Sequence, residues 1–120
     1  AIDIYRQLAA DESLPQPYRD VATLRGTMTE YDSLTPDEVI ARLSPLAHAG
    51  KPFFGSAGEL VAMAMLAKGD RAGSGKLFAR IAGDPQVPQT IRLRAVQIAG
   101  SLGVDVTASL PGIPGATPAQ

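Results

Sequence analysis

The chain has 120 residues, with 11 Lys+Arg against 12 Asp+Glu and a formal charge of −1, and 45% of its residues are hydrophobic. That length suits one domain or a few repeats of one small unit, able to hide roughly two thirds of its unfolded surface, while the charge balance excludes the footprint of a nucleic-acid binder or a polybasic membrane-surface protein. The absence of Cys excludes a disulfide frame, a thiolate nucleophile and Cys-ligated zinc, and 5% aromatics without Trp leave few stacking platforms for bases or sugars.

Ala1 to Ala10 already reads as the middle of a helix. A longer protein is therefore expected, with its compartment-determining segment upstream. From there to residue 102 the apolar spacing is helical and β-branched alternation is absent. Tyr5, Leu8 and Ala9 form a first stripe, and Tyr18, Val21, Ala22 and Met28 a second. Val39, Ile40, Leu43, Leu46 and Ala47 come next, then Ala57, Leu60, Val61 and Ala64. The last two stripes are Leu77, Phe78, Ile81 and Ala82, then Ile91, Ala95, Ile98, Ala99 and Leu102. Each steps by three or four residues, as one helix face requires.

Helix-end chemistry separates the stripes. Thr35-Pro-Asp-Glu38 reads as a capping box with Pro at the first helical position. Gly50 and Gly69 sit where left-handed C-terminal caps belong, Asp70 can cap the helix containing Phe78, and Pro17, Pro52 and Pro88 can open helices. Six helices are predicted at roughly 1–11, 17–32, 36–49, 53–68, 71–82 and 88–102, the third kinked by Pro45. The longest apolar run, Leu60–Ala67, is too short for a membrane span and reads as a buried central helix.

From Gly103 the composition changes. Pro111, Pro114 and Pro118 forbid a helix, and Gly112 and Gly115 weaken any strand. This 103–120 tail is predicted to lie extended along a helical groove, burying Leu110 and Ile113 against its own chain or a neighbour's.

Shifting the sequence by 73 residues lays Tyr5–Asp11 over Phe78–Asp84 and Leu14-Pro-Gln16 over Val87-Pro-Gln89. Ala9/Ala82, Asp11/Asp84, Pro15/Pro88, Gln16/Gln89, Arg19/Arg92 and Ala22/Ala95 are identical pairs. With Leu43 as the middle counterpart, the period is half of 73, or two helices per unit. The fold class is therefore all-α: three stacked helical hairpins in a tetratricopeptide-like solenoid, units about 1–34, 35–69 and 70–102. Gly75, three residues before Phe78, suits that repeat; Ile2 before Tyr5 suits it less, and the signature Trp is absent.

The phrasing of Asp11…Leu14-Pro-Gln-Pro-Tyr-Arg-Asp-Val-Ala-Thr-Leu24, Gly50-Lys-Pro-Phe-Phe-Gly-Ser-Ala-Gly-Glu-Leu-Val-Ala62, Lys68-Gly-Asp70 and Ile91-Arg-Leu-Arg-Ala95 is narrower. It resembles the C-terminal half of tetratricopeptide-like proteins of proteobacteria, which themselves resemble the ancillary subunit of the Sec translocon. The resemblance spans residues 1–102 and has no counterpart for the tail. It implies a non-catalytic interaction domain on the periplasmic side of the inner membrane, tethered through an N-terminal helix that this chain does not contain.

Other constellations read as structure. Gly69-Asp-Arg-Ala-Gly-Ser-Gly-Lys76 lacks the spacing and the Ser/Thr of a phosphate loop, so its glycines are expected to let helices approach. Glu30, Asp32, Asp37 and Glu38 flank a helix start without calcium-loop spacing. His48, the only histidine, is placed to satisfy carbonyls in the last turn before Gly50. Asp11 with Arg19, repeated as Asp84 with Arg92, predicts a recurring turn or ion pair. No catalytic residue, cofactor or metal site is predicted. The expected partner is a protein or peptide held on the concave face, with Gln7, Arg42, Lys76 and Arg80 as candidate contacts. A homodimer and a cytosolic scaffold or regulator built from the same repeats both stay open.

Overall fold

A computed structural model describes residues 2–104, and every regular element among them is helical. In chain order these are α1 (Ile2–Ala10), α2 (Gln16–Glu30), α3 (Pro36–Leu43), α4 (Phe54–Ala67), α5 (Arg71–Ala82) and α6 (Gln89–Ser101). Short 3-10 turns cover Tyr31–Ser33 and Ser44–Leu46. Successive helices pair as α1 with α2, α3 with α4 and α5 with α6, and α4 also packs against α5 and α6. The all-α architecture thus agrees with the helical periodicity. Gly103 and Val104 close α6, and Leu110 and Ile113, the predicted docking residues of the tail, lie outside the described residues.

The third helix departs from expectation. Instead of kinking at Pro45 it stops at Leu43, and Ser44–Leu46 tightens into a 3-10 turn. Proline has no N–H to continue the α ladder and its ring crowds the preceding turn. Gly50, at φ +89°, consequently belongs to the loop after this turn and caps no helix, and His48 is exposed in the same loop.

Other termini form as their residues require. Thr35 Oγ1 accepts from the Glu38 N–H (3.2 Å), and Glu38 Oε1 accepts from the Thr35 N–H (3.0 Å). These bonds hold the Glu38 carboxyl below its ordinary pKa. At the end of α4, Gly69 takes φ +92°, a region closed to most side chains. The Gly69 and Asp70 amides then donate to Leu66 and Met65 carbonyls, both at 2.9 Å. The Asp70 carboxylate in turn accepts from the Gly73 N–H (2.9 Å), opening α5. The stretch from Arg71 to Lys76 is thus the first turns of a helix rather than a phosphate loop.

The 73-residue repeat is visible in the loop bonds. Asp11 accepts from the Ser13 amide (3.0 Å), and Asp84 from the Gln86 amide (2.9 Å). The Leu14 and Val87 amides donate to the Asp11 and Asp84 carbonyls at 3.0 and 3.1 Å. The Tyr18 and Ile91 amides bond back to Pro15 and Pro88 in the same way. The recurring Asp is therefore a turn device. Arg19 Nε donates to the Ala9 carbonyl (3.1 Å), bracing α2 against the end of α1, and its charge also helps to lower the Asp11 pKa.

The core centres on α4. Phe54, Ala57, Val61, Ala62 and Ala64 are buried there, against Leu43, Leu77, Phe78 and Ile81. A Cβ on Gly58 would lie 3.0 Å from Ile81 Cδ1, and one on Gly55 only 2.8 Å from Val87 Cγ1, so the absence of side chains sets the spacing. Ser74 donates its buried hydroxyl to the Ala62 carbonyl (2.8 Å), and Arg94 grips Glu59 through two bonds of 2.9 and 3.0 Å. Two of the predicted stripes are only partly inside. Leu8, Tyr18 and Met28 are exposed, because the inner face of α2 is formed by Ala22, Gly26 and Thr27 instead.

Ile81 and Leu8 are repeat counterparts with opposite burial. Ile81→Ala is expected to cost about 2–5 kcal/mol in urea unfolding, and Leu8→Ala less than about 1 kcal/mol. Equal costs would contradict the burial contrast.

Candidate functional site

Between α1 and α2 of the first hairpin the packing opens into a cleft of about 390 Å3. Tyr5, Arg6, Ala9 and Ala10 supply one wall from α1, and Ala22, Thr23, Gly26, Thr27 and Glu30 supply the other from α2. Arg42 reaches in from α3. Small residues at successive turns of α2 leave the space. A Cβ on Gly26 would meet Tyr5 Cβ at 3.0 Å, so α1 lies as close to α2 as the backbone allows. The Thr23 and Thr27 hydroxyls point back to the carbonyls of Arg19 (3.1 Å) and Thr23 (2.7 Å), which leaves their methyl groups to line the wall.

Charge gathers at Glu30. Its side chain is 8% exposed, and each carboxylate oxygen has its own arginine: Arg6 Nη2 at 2.6 Å from Oε1, Arg42 Nη1 at 2.8 Å from Oε2. Arg6 is 60% and Arg42 32% exposed, so both guanidiniums also face outward. Two cations around one anion leave a net charge of about +1 at the cleft. The Arg42 hydrogen bond, then that of Arg6, holds the Glu30 carboxyl below its ordinary pKa, against the opposing effect of burial.

Of the residues predicted to contact a partner, only Arg42 lines this cleft. Gln7 is exposed on α1, and Lys76 and Arg80 are exposed on α5. The acidic group read at the α3 start is dispersed. Glu38 closes the capping box, Asp37 pairs with Lys68 (2.5 Å), and Glu30 turns inward to the arginines. Glu30 and Arg6 were therefore missed as site residues. The available signal was position: Glu30 continues the Thr23, Gly26, Thr27 face at helical spacing. Among the described residues, no three His, Cys, Asp or Glu side chains gather as a metal site would require.

Compared with known proteins, the chain matches no family model, no curated protein and no solved structure.

Because the folded state favours ionised Glu30, its contribution to stability is complete above about pH 4.5 and is lost as pH falls through the lowered folded value. Glu30→Gln is expected to be less stable than the parent at neutral pH, with the gap closing as pH falls below about 4.5. Urea unfolding at several pH values checks this. A gap that stays constant with pH would show that the carboxylate charge contributes nothing.

Proposed function

We propose that this chain is a non-catalytic, tetratricopeptide-like protein-interaction module, the soluble part of a membrane-tethered protein assisting envelope or translocon-associated protein handling. The repeated hairpin loops and the sequence resemblance support the class. The observation that carries the interaction reading is the open cleft with Arg6 and Arg42 at its mouth. A guanidinium has five N–H donors, and each of these arginines directs one at Glu30. The remaining donors suit an acidic side chain or a terminal carboxylate on an extended partner segment, while Tyr5, Ala9 and Ala22 receive its apolar neighbours. Glu30, the carboxylate of the cleft, is already held by both arginines, which in this reading leaves it no role as a general base. Gln7, Lys76 and Arg80 extend the polar surface along the A helices.

Titration of the isotope-labelled chain with length-matched acidic, neutral and basic peptides tests the reading by NMR. The acidic peptide is expected to shift the amides of Ala9, Gly26 and Thr27 selectively. Arg6→Ala, which keeps the Arg42–Glu30 pair, should weaken it about tenfold, equivalent to about 1.4 kcal/mol. No shift at the cleft with any peptide would overturn the reading. Fractionation of cells tests the tether separately. The native protein should be recovered with the inner membrane and be protease-accessible from the periplasm; recovery in the soluble cytosol would favour the cytosolic scaffold.

A further inference from the structure

Glu30 occupies a place that disfavours an acid. It is the last residue of α2, where the helix dipole is negative, and its side chain is buried in the wall of the cleft. The helix end closes without the carboxylate: the Tyr31 amide donates to the Met28 carbonyl, and the Ser33 hydroxyl donates to the Glu30 backbone carbonyl. Among the described residues the carboxylate is bonded by the two arginines, one to each oxygen. The groups around it are Tyr5 and Arg6 from α1 and Arg42 from α3, with Glu38 of α3 near enough for the two carboxylates to repel. The arginines are held unequally, since Arg6 is the more exposed of the two. A carboxylate entering the cleft therefore meets cations that already carry an anion. Exchanging Glu30 for the newcomer replaces one ion pair by another of the same kind, and the two anions repel each other throughout.

Resting on the reading of the cleft as a site for an acidic segment, we propose that Glu30 is the chain's internal competitor for that ligand: an acidic group draws Arg6 away from Glu30, while Arg42 stays in place. Arg6 is the member that moves because its side chain already reaches solvent. Arg42 keeps the buried carboxylate paired, so the handover strands no charge. The small walls of Ala9, Ala22, Gly26 and Thr27 leave room for the incoming group beside the arginines. Glu30 thus holds the affinity for acidic segments below what two arginines without a resident anion would give. The same carboxylate that strengthens the fold weakens the binding.

Glu30→Gln separates competition from simple bracing. The amide keeps one acceptor oxygen for one arginine and removes the charge. Parent and variant, both isotope-labelled, are titrated with the same synthetic acidic peptide and followed at the Ala9, Gly26 and Thr27 amides. Although less stable to urea, the variant is expected to bind the peptide about tenfold more tightly. A residue that only braced the cleft would, when changed, leave binding unaltered or weaken it, and either result from a folded variant would overturn the proposal. Binding by the parent in that same experiment would leave the cleft reading standing. Binding by the variant alone would overturn the cleft reading for the parent and uphold the competition in its strongest form. Binding by neither would overturn both. A second measurement uses the parent alone, in case the variant does not fold. The Glu30 carboxyl is titrated by carbon NMR with and without a saturating peptide that carries cysteic acid, whose sulfonate stays ionised in acid. Coupling between two sites is reciprocal, so the peptide is expected to raise the Glu30 pKa. An unchanged or lowered value would overturn the proposal.

Discussion

The close approach of α4 to its neighbours governs the rest of the structure. A helix enclosed between α3 on one side and α5 with α6 on the other can carry bulk only where the neighbours withdraw. Gly55, Ala57, Gly58, Ala62 and Ala64 meet that condition, and the larger residues of adjoining helices, Leu43, Phe78 and Ile81, fill the remaining space completely. Tight backbone approach has a polar consequence as well. It brings the Ala62 carbonyl within reach of the Ser74 hydroxyl, giving two helices a hydrogen bond that no longer side chain would permit. The Glu59–Arg94 fork then ties the same helix to α6 at its exposed edge.

The seam between α1 and α2, which Arg42 of α3 also reaches, obeys a different logic. There the facing residues are Thr23, Gly26 and Thr27 opposite Ala9 and Ala10, too small to close the gap. Beside the close approach of Gly26 to Tyr5, one carboxylate shared by arginines from two other helices ties the sides together. Each oxygen of that carboxylate is bound by its own arginine, at 2.6 and 2.8 Å. The same trio that braces the seam also presents cationic edges to solvent. In the proposed reading, recognition would therefore draw on the same side chains that brace this place.

Much of the helical plan was legible because local rules agree with each other. Thr35-Pro-Asp-Glu38 combines a cap, a proline and a returning carboxylate, and the helix starts where they put it. Asp70 and Gly69 are equally unambiguous. The end of the third helix was harder to read, since apolar spacing continues through Leu46 and Ala47 after hydrogen bonding has changed type at Pro45. Burial was the least legible property. Leu8 and Tyr18 have the same spacing as the buried Ile81 and the half-buried Ile91, and periodicity says which face they occupy but not whether anything lies against it. The cleft was half visible: Arg42 stood off its apolar stripe, whereas Glu30 looked like one more acid beside a helix start.

Asp70 takes part in two structures at once. Its amide completes the closing turn of α4 and its carboxylate begins α5, so no free residue separates the second and third hairpins. Between α2 and α3 the chain instead passes through a 3-10 turn and Leu34 before Thr35 begins the next helix. A rotation of the third hairpin against the second would have to break a cap and a helix end together. The first hairpin joins the second through that short connector, whose Tyr31 and Leu34 pack against the core. The third hairpin thus follows the second with no intervening residue, whereas the first is set off from the second by a hydrogen-bonded turn.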